Sequence, residues 1–452
     1  MTPAETAHAC LGFWSRAGRC RAARYGRERG RPRTAVGTES GKRAGNMTFH
    51  RRRRTGRWFL GPLVAACVVV IAAGCSSSAS SGSTNATPTT GSTSTGSAAG
   101  AHATASAITQ ANAIIAAAEK PLPFWAPPSF DAAPARGKTV WWIASHSVST
   151  ETEWAAAAQQ AFQLAGVNFK FYNDNDQQDV AAHIQGIQLA IAAHANAIVL
   201  GDGGAASEYT AQIAAAKKAG IPVFVIVNGD PEPQPNIPGL IVDTTYSYTE
   251  TGQLSAAWAV AHTNGAPNTL IVNLGAACPC IPLAINGFLT ELKTLDPNAV
   301  VHNDTLALNE SDMQDQVATF VRTGLLTDPS TNFVYPVFDN MAAFAVTGIS
   351  GAQKSATVST GGFNAVVPSM EELKAGSTLQ YDIGGPNDWL SWATADNVLR
   401  YLTGHPVITN PHIGLRIFTH DNVQNINVTQ ENDLQWYGIN LAQDYAKVWE
   451  IG

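Results

Sequence analysis

Cysteine is scarce in this chain: there are six among 452 residues, and only Cys278 and Cys280 lie beyond position 75. So few cannot form a disulfide framework, and the folded part must stand on a hydrophobic core. Cations are sparse as well. Residues 1–74 hold 15 of the 28 Lys and Arg but three of the 34 Asp and Glu, leaving 13 and 31 for residues 75–452, a formal net charge of −18. A domain this acidic does not neutralise phosphates, which argues against nucleic acid as a partner. The chain also lacks a Gly-rich phosphate loop, a nucleophile elbow and any pair of histidines at metal-ligand spacing. Asp174-Asn175-Asp176 resembles the start of a calcium loop but lacks the required Gly and distal Glu. No cofactor, metal or catalytic set is expected.

Long apolar runs are missing too, with one exception. Trp58 to Ile71 follows Arg51–Arg54 and Arg57 and leads into Ala72-Ala73-Gly74-Cys75. The run is shorter than the ~20 residues a membrane span prefers, and Gly61-Pro62 interrupts it. A basic start, an apolar middle and small residues before the cleavage point read as an export signal, with Cys75 lipidated. Ala72 departs from the Leu usual in bacterial lipoproteins three residues before the cysteine; a transmembrane helix ending in Cys is the alternative. Met47, just before the arginine cluster, is the more natural start. The expected location is the outer face of the cell membrane, held by an acyl anchor. Ser76 to about Ser106 is Ser, Thr, Gly and Ala, too polar to order itself, and reads as a tether.

Beyond the tether, Ala107–Lys120 has helical spacing, and Pro121, Pro123, Pro127 and Pro128 mark an extended arm. From Lys138 onward short apolar runs alternate with helical segments. Strands are expected at 140–144, 169–172, 197–200 and 222–227, with helices at 154–165, 179–193 and 207–219. The alternation restarts after Leu240–Val242 and runs to the helix 389–402, which stops at Gly404 with Pro406 just beyond. Such spacing means parallel strands with right-handed crossovers. Two successive sets of βα units are too many for one open sheet, so two α/β lobes with a cleft are expected.

Several local phrases then resemble type I periplasmic binding proteins of the ribose/galactose-binding family: Ala219-Gly220-Ile221-Pro222-Val223, Asp243 with Thr251-Gly252, Gly287-Phe288, Asp339-Asn340-Met341-Ala342 and Gly362-Phe363-Asn364. The resemblance runs from about Lys138 to the C-terminus. It implies two Rossmann-like lobes joined by three crossings, placed near Thr244, Gly384 and Arg416. The resulting organisation is 1–74 extension and signal, 75–106 tether, 107–137 arm, 138–244 with 384–416 as the first lobe, and 245–383 with 417–452 as the second. The implied activity is capture of a sugar-like small molecule by a monomer and delivery to an ABC permease, without chemistry. A receptor of the same fold serving a signalling partner is the alternative.

The resemblance also nominates ligand residues. Trp154, ending the first cleft loop, is the stacking aromatic or else a core Trp; Glu151 in the same loop accepts hydroxyl hydrogens or favours the helix N-terminus. His146 is the cleft-loop histidine. Asn228 and Gly229 stand where sugar binders carry Asp then Arg, with the candidate Asp230 next. Phe338, Asp339 and Asn364 follow strands of the second lobe, and Asp382 lies near the hinge Gln, for which Gln380 is the other candidate. Ala284 replaces a second expected Arg. Loss of both forks makes a less polar or aromatic ligand a live alternative, with Trp142, Trp154, Phe338, Trp389 and Trp392 as walls. Cys278 and Cys280 form either a strained loop clip or two thiols, and the oxidising location favours the clip.

Overall fold

The computed structural model describes residues 102–144, 149–174, 180–201, 205–275, 278–307, 312–430 and 433–451. Cys75, the export signal, most of the tether and His146 lie outside these residues. The described chain begins with α1 (Ala105–Ala118), then builds β1 (Thr139–Ala144), α2 (Ser149–Leu164), β2 (Asn168–Asn173), α3 (Val180–Ala192), β3 (Ala197–Gly201), α4 (Thr210–Lys218), β4 (Val223–Ile226) and β5 (Leu240–Thr244). The five strands form one parallel sheet in the order β2-β1-β3-β4-β5. β3 and β4 are buried along their whole length, as expected for strands covered on both faces.

A second set follows: α5 (Tyr248–His262), β6 (Asn268–Ile271), α6 (Cys280–Leu295), β7 (Val300–His302), α7 (Met313–Thr327), β8 (Phe333–Tyr335), α8 (Asp339–Gly351), β9 (Ser359–Phe363), α9 (Val367–Ala375) and β10 (Leu379–Gly384). Then come α10 (Asn387–Thr403), β11 (Arg416–Thr419), α11 (His420–Val423), α12 (Asp433–Trp436) and α13 (Leu441–Val448). The second sheet has the order β11-β10-β9-β8-β6-β7, parallel except for β11, which pairs antiparallel with β10. β11 was not anticipated from the sequence; four residues, Arg416-Ile417-Phe418-Thr419, are too short to show a period. α5 and α6 cross closely because Gly252 and Gly287 lack side chains: a Cβ on Gly252 would stand 1.9 Å from the Ala284 carbonyl oxygen.

The chain passes between sheets at 245–247, 385–386 and 404–415. α10 leaves the second sheet but packs on α2, β4 and β5 of the first. Two further passages were not expected. The boundary drawn from sequence assigned 417–452 to the second lobe, but α13 packs on α10 and α2 of the first, burying Leu441, Tyr445 and Val448. Conversely, α1 packs on α5 of the second lobe, and the arm then runs to the first. Arm and C-terminal segment travel together: the Leu122 N–H donates to the Tyr437 carbonyl and the Phe130 N–H to the Val448 carbonyl, each at 2.8 Å. Phe124 sits on Trp389 and Tyr445, with ring centroids 5.3 Å away in both cases. Among the described residues no helix is long and apolar enough to cross a membrane.

Candidate functional site

In open parallel sheets ligands bind beyond the carboxyl ends of the strands, near the point where strand order reverses. Among the described residues nine non-glycine positions have positive φ; four lie at those ends, including both that are β-branched. Val227 after β4 has φ +57°, Val337 after β8 has +72°, and Asn364 and Ala365 after β9 have +125° and +53°. A β-branched residue at positive φ is a steric outlier that persists only where surrounding structure over-determines it, and such outliers cluster at functional sites.

The first crossing joins the two sets of ends. Asp243, fully buried at the end of β5, accepts the Asn228 N–H on Oδ1 at 3.2 Å and so orders the loop after β4. Burial, opposed by these backbone N–H groups, pushes its carboxyl up to about 8. Asp230 reaches over the crossing to α5, accepting the Thr249 N–H at 3.1 Å on Oδ1 and the Thr249 hydroxyl on Oδ2. Both oxygens are therefore engaged, and Asp230 acts as a hinge brace. Gln234 ties the first crossing to the third through the Asp243 N–H and carbonyl and the Thr409 carbonyl. Tyr246, Tyr248 and Phe363 form an aromatic hub at this junction, with centroids 5.4–5.9 Å apart. Phe338 lies half-buried at the rim of the hub, 5.9 Å from Phe363.

In the second lobe Asp339 and Asp382 are buried beside Gly362. Asp339 Oδ2 accepts the Val366 N–H at 2.9 Å and Asp382 Oδ1 the Ala365 N–H at 3.2 Å, which holds the strained 364–366 loop. The other carboxylate oxygens face each other across Gly362, where a Cβ would stand 2.2 Å from Asp339 Oδ1 and 3.3 Å from Asp382 Oδ2. Burial raises the Asp339 carboxyl to about 6; burial and then the Asp339 charge raise Asp382 well above the carboxylate range. Two like charges this close cannot both ionise cheaply, so the pair shares a proton. Asp382 is thus committed to its partner and the loop. Asn364, half-buried, keeps its side-chain oxygen free of hydrogen bonds.

On the first lobe the opening turns of α2 and α10 meet. Trp154 Nε1–H donates to Asn387 Oδ1 at 3.0 Å, and its ring lies in the core, the second of the two roles foreseen for it. Glu151 is 1 % exposed in the same turn. Asp388 is raised to about 6 by burial and then by Glu153. Trp389, expected as a wall, is fully buried under Phe124 and leaves no face for a ligand. Trp142 and Trp392 are likewise core, Trp392 stacking on Trp449 at 5.6 Å. Ala284, which stands where the resemblance expects an arginine, is fully buried, and its carbonyl oxygen faces Gly252 in the α5–α6 crossing. Cys278 and Cys280 are joined in a disulfide just before α6.

Sequence reasoning brought Asn228, Phe338, Asp339 and Asn364 to the strand ends but missed Tyr246 and Tyr248 as contributors. Their only signal was position: Tyr246 lies within, and Tyr248 directly after, the three residues 245–247 that leave β5 for the second lobe. A separate groove of about 610 Å³ lies at the outer edge of the second sheet, lined by Leu270, His302, Leu306 and Phe320, and does not touch these strand ends.

Two parallel-sheet lobes, three crossings and strained loops at the apposed strand ends define a two-lobed binding protein. A family model described as a periplasmic binding protein domain matches residues 139–406, and the chain belongs to that family. No match is found among curated proteins. Among solved structures, an ABC transporter periplasmic solute binding protein from Actinobacillus succinogenes 130z with bound D-allose is 16 % identical, with a TM-score of 0.56 over 64 % of this chain and 99 % of that one. An ABC transporter solute binding protein from Bacillus halodurans C-125 with bound myo-inositol is 16 % identical, with a TM-score of 0.55 over 66 % and 99 %. One from Mycobacterium smegmatis with bound glycerol is 18 % identical, with a TM-score of 0.55 over 65 % and 97 %. At these identities the likeness establishes the fold: type I, two lobes.

Proposed function

We propose that this protein is the lipid-anchored, extracytoplasmic receptor of an ABC importer and captures a small polyhydroxylated molecule between its lobes without altering it. The observation that carries this reading is the concentration of strained backbone at the carboxyl ends of β4, β8 and β9, braced across the first crossing by Asp230 and Gln234. A short braced crossing lets two rigid lobes close on a ligand while the loops keep their shape. Asn228 and Asn364 offer donor and acceptor groups suited to hydroxyls, and Phe338 offers an apolar face. Allose, inositol and glycerol in relatives of this fold support the ligand class. Export and anchoring rest on Arg51–Cys75.

Titration calorimetry of the exported chain against neutral sugars, amino sugars, cyclitols and polyols, paired with small-angle scattering, tests capture. Binding should be accompanied by a smaller radius of gyration. Absence of both heat and compaction across such a panel ends the reading. Cys75→Ala should release the protein from membranes in the producing cell; retention on the membrane would remove the acyl anchor.

A further inference from the structure

The distribution of charge says more about the ligand than any single contact. Thirteen Lys and Arg remain after residue 74. None lies in the segments that follow the carboxyl ends of the strands: 145–154, 174–179, 202–209, 227–239, 272–282, 336–343, 364–371 and 385–391 contain no Lys or Arg at all. The same segments carry Glu151, Glu153, Asp230, Asp339 and Asp388, among other acids. Cations are used elsewhere. Lys138, Lys354 and Lys374 donate to the carbonyls of Leu402, Pro329 and Ile426, and Arg400 is buried with Asp396. Arg416 begins β11 beside Gly384, but its guanidinium is turned onto the arm and C-terminal segment, donating to the carbonyls of Glu119 and Trp436. A cleft lined by one sign of charge between low-dielectric walls concentrates the opposite sign.

A second, independent observation lies at the first crossing. Asp243 is fully buried; the Asn228 N–H, 3.2 Å from Oδ1, and the Gly229 N–H both lie against its carboxyl, and Oδ2 makes no hydrogen bond of ordinary geometry. That oxygen points at Gly229. It lies 3.9 Å from where a Cβ on Gly229 would stand, and no other atom outside residues 228–230 is within 4 Å of that point. Gly229 itself is half-exposed, in the loop that follows β4. Pushed up to about 8 by burial, the carboxyl is largely protonated near neutral pH, and a positive group beside Oδ2 would favour its ionised form. The chain supplies none there.

We propose that the ligand supplies it: the captured molecule carries a protonated amine, which seats beside Gly229 against Asp243 Oδ2. The class is a small amino-polyol, an amino sugar or aminocyclitol, with its apolar face toward Phe338. This assignment rests on the small-molecule capture proposed above and narrows it. Sugar acids and sugar phosphates are excluded by the same field.

Calorimetry on the exported chain with matched sets tests it: D-glucose, D-galactose and myo-inositol; their amino counterparts; and glucuronate with glucose 6-phosphate. An amine should bind at least about tenfold more tightly than its neutral parent, as expected when a desolvated charge is paired, and the preference should weaken as salt is raised. Gly229→Arg places a guanidinium in the ammonium's seat and should abolish the preference. Gly229 is not at positive φ, so the backbone accepts the change; circular dichroism and melting report whether it folds. Asp243→Asn keeps the acceptor for Asn228 and should also erase the preference. Neutral parents binding as tightly as their amines, anions binding more tightly than either, or an amine preference that survives both substitutions, each overturns the inference and leaves capture standing. No heat from any set overturns both.

Discussion

The two sides of the hinge are built from opposite chemistry. Behind it, charged groups are consumed by the fold: Arg400 is 3 % exposed between Asp396 at 2.6 Å and the Pro128 carbonyl at 2.7 Å, with its guanidinium 4.5 Å from the Phe130 ring. Arg416 is spent on carbonyls of the arm and C-terminal segment. In front, at the strand ends, carboxylates gather without cations, and some oxygens remain unpartnered. Unpaired buried polar atoms are tolerated where a ligand completes them and selected against where nothing arrives. The back is therefore architecture, and the front is the side proposed to receive the ligand.

The comparison breaks most visibly at Arg400. Arg400→Ala leaves Asp396 buried and uncompensated and should cost about 3–5 kcal/mol, read as a fall in melting temperature; a loss under about 1 kcal/mol would mean the back is not held by this pair. Close behind comes Gly252→Val. A branched side chain there meets the Ala284 carbonyl and Phe288 N within the α5–α6 crossing, and overpacking should cost about 1–3 kcal/mol in a denaturant titration. Phe124→Ala strips the arm from Trp389 and Tyr445 and should cost about 1–3 kcal/mol, since the ring is only half-buried. The melt should stay single if arm and lobes unfold together; an unchanged melting temperature would show the arm to be ornamental to stability.

The front should respond in the opposite sense, and by less. Asp339 and Asp382 have folded-state pKa values raised above their unfolded ones, so the folded state holds more protons. The contribution of the pair to stability is complete below about pH 4 and is lost as pH rises through about 6 and beyond. Asp382→Asn gives Asp339 a donor in place of a second acid. The variant should melt higher than the parent at pH 8 and within a degree or so of it at pH 4. A lower melting temperature at pH 8 would show that Asp382 is ionised and paired.

Much of the architecture was legible in the chain. Short apolar runs separated by amphipathic helices, restarting after Asp243, carry the βα alternation because a strand buried on both faces has no polar side to show. The strand ends that bear Asn228, Phe338, Asp339 and Asn364 follow directly from that alternation. Trp389, Trp142 and Trp392 were misread for one physical reason: an indole next to a loop packs equally well into a core or against a ligand, and nothing local distinguishes the two.

Composition and order alone determined that this is an acidic, cysteine-poor, two-lobed α/β chain, and that no Lys or Arg occupies any strand-end segment. Those properties are sums and periodicities along the chain, unaffected by how it folds. Tertiary structure alone decided that the arm and α13 bind the two lobes together from behind, that Asp339 meets Asp382, and that Asp243 looks onto Gly229. Each is a contact between residues distant in sequence or on separate turns, set by how helices and sheets pack rather than by what precedes or follows them.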